Sequence, residues 1–89
     1  MKVIMQSIIE ISNNVSFSAE SENGTRYQFL VSREALDDAV GYRGELGESI
    51  SRYEVFINHM DKILDVAEHL VSAGVRSEPI VITTELLNR

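Results

Sequence analysis

The sequence predicts an α+β fold: an antiparallel three-stranded meander, a short helix, a long helix packed across the sheet, and a C-terminal strand returning to the sheet. Three observations predict it. Val15, Phe17 and Ala19 alternate with Ser16, Ser18 and Glu20, the period of a half-exposed strand. Between about Glu48 and Ala73 apolar residues recur at alternating spacings of three and four, the period of a helix. A β-branched run, PIVITT, begins at Pro79.

The elements follow in order. Residues 3–11 are rich in Ile and Val on both parities, with Met5, Ile9 and Ile11 on one and Ile4 and Ile8 on the other. That pattern predicts a strand buried on both faces, with a helix carrying Ile4, Ile8 and Ile11 as the other reading. Ser12, Asn13 and Asn14 supply turn chemistry before the strand that starts at Val15. Asn23-Gly24 tolerates positive φ at both positions and predicts a tight hairpin. The return strand from Thr25 to Val31 sets Tyr27, Phe29 and Val31 on one face. Ser32 is placed to cap a short helix, REALDDAV, that Gly41 ends.

The long helix carries Ile50, Tyr53, Ile57, Met60, Leu64, Ala67 and Val71 on its expected core side. Gly74 and Val75 can close it with a Schellman ending. The predicted core includes Ile9, Phe17, Phe29, Val31, Leu36, Phe56, Ile57, Met60, Leu64, Ala67, Ile80 and Ile82. The length of 89 residues predicts a single domain over 1–89 with one core.

Composition narrows the function classes. The chain has no cysteine, which removes disulfides, thiolate zinc sites and thiol catalysis, and fits a cytoplasmic location. Its net charge is −6, and its eight Lys and Arg residues are scattered, so nothing in the sequence neutralises consecutive phosphates. Nucleic acid and anionic membranes are disfavoured as partners. The N-terminal run MKVIMQSIIEI is broken by Gln6, Ser7 and Glu10, and is too short for a signal peptide or a membrane span.

The stretch INHMDKILDVAEHL holds both histidines, His59 and His69, among Asp61, Asp65 and Glu68. Ten residues on a helix separate them by about 15 Å along the axis and about 80° around it, so they do not share a metal. Asp65 and His69 are four residues apart, a pair worth a few tenths of a kcal/mol. Glu54, Asp61, Asp65 and Glu68 form an acidic stripe beside the core face. It reads as a solubilising face, with a contact for a basic partner or a weak divalent-ion site as the functional reading.

Val55, Ile63, Val66 and Leu70 widen the apolar side of the long helix beyond what one packed face needs. They form the candidate interaction surface, to be covered by the 33–40 helix or by a second copy in a homodimer that buries Val55 and Val66. The loop GYRGELG spaces Gly41, Gly44 and Gly47 at three residues, with Arg43 in the first interval. It lacks the Lys-Ser/Thr pair of a phosphate loop, and its Gly-x-x-Gly unit resembles the clamp of KH nucleic-acid modules. The plainer reading is a tight corner between two helices. No cofactor motif or nucleophile constellation is visible, and an enzyme would need a site assembled only in space.

The segments VSF, YQFLVSREALDDAVG, AEHLVSAG and IVITTELL, within residues 15–87, resemble the bacterial domain-of-unknown-function family 1488. VSREALDD and VITTELL carry the resemblance most specifically. It implies a compact bacterial α+β domain standing alone, with no activity and no catalytic residues to transfer. The expected function is a non-catalytic interaction or regulatory module with a protein partner. The alternatives are a nucleic-acid module using the Gly41–Gly47 loop and an enzyme.

Overall fold

The computed structural model describes residues 1–39 and 51–88. They form β1 (Lys2–Ile11), β2 (Asn14–Glu20), β3 (Arg26–Val31), α1 (Arg33–Ala39), α2 (Arg52–Asn58), α3 (Met60–Ser72), β4 (Ile80–Ile82) and α4 (Thr84–Leu87). The fold is α+β. Its sheet has the order β1-β2-β3-β4, with β1, β2 and β3 antiparallel and β4 parallel to β3. The chain between β3 and β4 makes the crossover that a parallel neighbour requires.

The two hairpin turns exchange the chemistry expected of them. Ser12 and Asn13 both adopt positive φ, 50° and 72°, between the paired residues Ile11 and Asn14. The tight two-residue turn is therefore here. At the other hairpin only Gly24 has positive φ, and the pair Glu20–Arg26 closes a longer loop. The Asn23 side chain holds that loop by accepting from the Thr25 N–H at 3.1 Å and from the Ser21 hydroxyl. Asn23 thus organises the loop through its side chain instead of adopting positive φ itself.

β1 is an edge strand, and the expectation of burial on both faces is corrected: only Val3 is buried, while Met5, Ile9 and Ile11 are exposed. Ile9, a predicted core residue, is 53% exposed. The cause is a bulge. Ile4 pairs with Ser18 and Ile9 with Ser16, so β1 spends five steps where β2 spends two. The odd difference reverses side-chain parity along β1. Val3 and Ile8 pack toward the core, while Ile4, Ile9 and Ile11 lie opposite Ser18, Ser16 and Asn14 on the other face.

Ser7 completes the ladder across the bulge. Its hydroxyl accepts the Ser18 N–H at 2.7 Å and donates to the Ile4 carbonyl at 2.6 Å. Ser7→Ala is expected to orphan both groups and cost about 1–3 kcal/mol, read as a lower urea midpoint and faster hydrogen exchange at the Ser18 amide. Ser7→Thr keeps the hydroxyl and should keep most of the stability. An alanine variant with an unchanged midpoint would show that water replaces this bond at no cost.

The helices cover one face of the sheet. Phe17, Phe29, Val31, Ile80 and Ile82 meet Leu36, Phe56, Ile63, Ala67 and Leu87 in one hydrophobic cluster. Phe56 stands 4.8 Å from Phe17, and Phe17 stacks on Phe29 at 5.1 Å, measured between ring centroids. Ser32 caps α1 through the Ala35 N–H at 3.1 Å. Ser51, with extended backbone, caps α2 through the Glu54 N–H at 3.1 Å, so α2 starts at Arg52; the start expected at about Glu48 lies outside the described residues. One Arg52 guanidinium nitrogen bridges both Asp37 oxygens at 2.9 and 3.1 Å and ties α2 to α1.

The expected continuous helix is two helices. His59, at φ −115° and ψ 19°, ends α2 and precedes α3. Neither glycine nor proline marks the break in sequence, since the residues around it are Asn58, His59 and Met60. α3 ends as predicted: the Val75 N–H donates to the Leu70 carbonyl and the Gly74 N–H to the Val71 carbonyl, with Gly74 at φ +90°. The terminal strand is shorter than PIVITT. Thr84 opens α4 by donating its hydroxyl to the Asp38 carboxylate, and Asn88 donates to the Ala35 carbonyl at 3.0 Å.

Candidate interaction surface

The predicted apolar flank divides in two. Val55 is 4% exposed and Ile63 fully buried, so both belong to the core. A homodimer cannot bury Val55 further, and that expectation is corrected. The core row of α2 and α3 runs through Phe56, Ile63 and Ala67, while Ile57, Met60 and Leu64 are only partly buried at its shoulder. The buried side is therefore turned by roughly 60° from the row that the spacing selected. Tyr53, expected in the core, is exposed.

Val66 and Leu70 remain partly open to solvent. With Ala73 of the α3 C-cap and Leu86 of α4 they line a groove of about 530 Å³, and Asp65 and His69 complete its lining. α4 makes this groove, because its Leu87 is buried in the core while Leu86 stays at the surface facing α3. Sequence reasoning named Val66 and Leu70 but missed Leu86, having extended the terminal strand through Thr84. The TELLN segment, with a β-branched start and a leucine pair, was the available helical signal.

Asp61, Asp65 and Glu68 are exposed along α3; Asp65 lines the groove, whereas Glu68 lies on the other flank of the helix, where it accepts from the Met1 ammonium at 2.7 Å. Among the described residues no three His, Asp or Glu side chains gather closely enough to hold a metal ion. His69 lies in the last turn of α3, at the groove, while His59 occupies the helix junction. Gly41, Arg43, Gly44 and Gly47 lie outside the described residues. No helix among the described residues is long and apolar enough to cross a membrane.

The second open surface is the outer face of the sheet, opposite the helices. Pairing aligns Ile9, Ser16, Leu30 and Val81 in one row across all four strands. The next row is Ile4, Ser18 and Gln28, and the last is Lys2, Glu20 and Arg26. Gln28 joins the centre: its amide nitrogen donates to the Ser16 hydroxyl at 2.7 Å and its carbonyl accepts from the Ser18 hydroxyl at 2.8 Å. Comparison of the chain with known protein families, curated proteins and solved structures finds no match.

Proposed function

We propose that the protein is a non-catalytic interaction module whose α3–α4 groove receives a cationic amphipathic segment of a protein partner. The observation that carries this reading is the groove itself. Val66, Leu70, Ala73 and Leu86 give it an apolar lining, and Asp65 stands beside them in a chain of net charge −6. Apolar side chains of a docked helix would fill the groove, and a basic residue at its edge would face Asp65. A regulatory role follows where such binding competes with another partner of that segment. The resemblance to family 1488 implies a compact bacterial α+β domain and brings no activity to this reading.

The test is fluorescence anisotropy with a labelled Leu/Lys amphipathic peptide. Binding is expected at low salt and should weaken as ionic strength rises. Val66→Glu should weaken it by at least about tenfold, since a carboxylate would enter the apolar lining. Asp65→Asn should have a smaller effect. A peptide bound equally well by the Val66→Glu variant would defeat the groove assignment. Retention of single-stranded RNA at low salt, in place of the peptide, would favour the Gly41–Gly47 nucleic-acid reading.

A further inference from the structure

We infer that Asn23 is a site of spontaneous deamidation, promoted by its own loop: the Ser21 hydroxyl and the Thr25 N–H hold the side-chain oxygen that becomes charged as the Gly24 nitrogen attacks. This modification is independent of the groove.

The loop between β2 and β3 supplies what the reaction needs. The nucleophile is the Gly24 backbone nitrogen, and glycine has no side chain to hinder its attack. The electrophile is the Asn23 amide carbon. Its oxygen accepts from the N–H of Thr25 at 3.1 Å, which closes a ring around the Gly24 peptide and keeps the side chain turned toward it. The Ser21 hydroxyl donates to the same oxygen. Both donors therefore sit where negative charge develops when the carbon becomes tetrahedral, the arrangement that stabilises acyl-transfer intermediates.

Gly24 N gives its proton to hydroxide from solvent and bonds to Asn23 Cγ. The Cγ–Nδ2 bond then breaks, and Nδ2 takes a proton from water and leaves as ammonia. Water opens the resulting cyclic imide on either side of its nitrogen. Opening at Cγ leaves an aspartyl residue. Opening at the main-chain carbonyl carbon leaves an isoaspartyl residue, with the chain routed through the former side chain.

A hydrogen bond from the Gly24 N–H to the Ser21 carbonyl, at 3.0 Å, opposes the first step. Residues 22–26 are all exposed, so water reaches this bond, and opening a surface turn costs little beside global unfolding.

The other asparagines lack this combination, because Asn-Gly occurs once in the chain. Asn13 precedes Asn14, and Asn14 precedes the β-branched Val15. The Asn14 side chain is engaged with the Arg33 N–H at 2.8 Å. After Asn58, the His59 nitrogen donates to the Val55 and Phe56 carbonyls. The Asn88 amide donates to the Ala35 carbonyl and the Thr84 hydroxyl at 3.0 and 3.1 Å.

The two products differ in effect. The aspartyl form adds a negative charge to a chain already at −6 and keeps an oxygen for both donors, so the loop persists. The isoaspartyl form lengthens the main chain by a methylene group inside the loop that the Glu20–Arg26 pair closes, and the side-chain contacts are lost.

Incubation of the full chain at neutral and mildly alkaline pH, followed by peptide mapping with mass spectrometry, tests this. The peptide holding Asn23 should gain the mass of an amide-to-acid exchange before any other asparagine does, at a rate that rises with hydroxide concentration. Ser21→Ala should slow conversion of the folded protein by about two- to tenfold, the factor that one exposed hydroxyl hydrogen bond contributes, whereas Ser21→Thr keeps the hydroxyl and most of the rate. In urea the loop contacts are gone, and wild type and Ser21→Ala should convert equally fast. Circular dichroism confirms the fold of each variant. No conversion at Asn23, earlier conversion at another asparagine, a folded Ser21→Ala chain that converts as fast as the wild type, or a deficit that persists in urea would each overturn the inference.

Discussion

Phe56→Ala should lower stability by about 3–5 kcal/mol, the range for truncating a buried phenylalanine. Domains of this kind are stable by only about 5–15 kcal/mol, so the loss removes about a fifth or more of the total and should lower the urea midpoint markedly. The reason is local. Phe56 is fully buried and tilted 51° against Phe17, which stacks on Phe29. It is the aromatic anchor of α2, a helix of seven residues that is too short to persist without tertiary contacts. Phe56→Leu, which leaves a smaller void, should lose less. Urea unfolding followed by circular dichroism measures both, and a loss below about 1 kcal/mol for alanine would contradict the packing described.

The second large effect is a contrast between neighbours. Ile63→Ala should cost about 2–5 kcal/mol, because Ile63 is completely buried between α3 and the sheet. Leu64→Ala should cost about 1 kcal/mol or less, because its side chain is only partly buried at the edge of the same cluster. Helical spacing alone leads to the opposite order, with Leu64 in the core row and Ile63 on an open flank. Unfolding of the two variants under identical conditions decides between them. Equal losses would place the helix axis midway and leave neither row as the core.

These two residues show how far the helix could be read from sequence. Periodicity predicted one amphipathic helix from about Glu48 to Ala73, and the helices Arg52–Asn58 and Met60–Ser72 lie within it. Its apolar arc was wide enough to hold two rows, and nothing in the spacing says which row meets the sheet. That choice depends on Phe17 and Phe29, which meet Phe56 and draw its side of the helix inward. The break at His59 is also tertiary, since the surrounding residues have no intrinsic demand for it. The site follows the same division. Val66 and Leu70 were legible as surplus apolar surface, but the groove exists only because α4 brings Leu86 beside them.

Local chemistry by itself determined the alternating strand β2, the Ser32 cap, the Schellman ending at Gly74 and the α+β class. Each depends on residues within a few positions of one another, where side-chain type and backbone geometry suffice. Only the tertiary structure decided the parallel placement of β4, the bulge in β1 and the identity of the buried helix row. β1 carries the sharpest case. Its apolar residues on both parities suggested burial on both faces, whereas the bulge places Ile4, Ile9 and Ile11 on one. That reversal depends on Ser7 reaching the Ser18 amide eleven residues away, a pairing that single-strand periodicity does not contain.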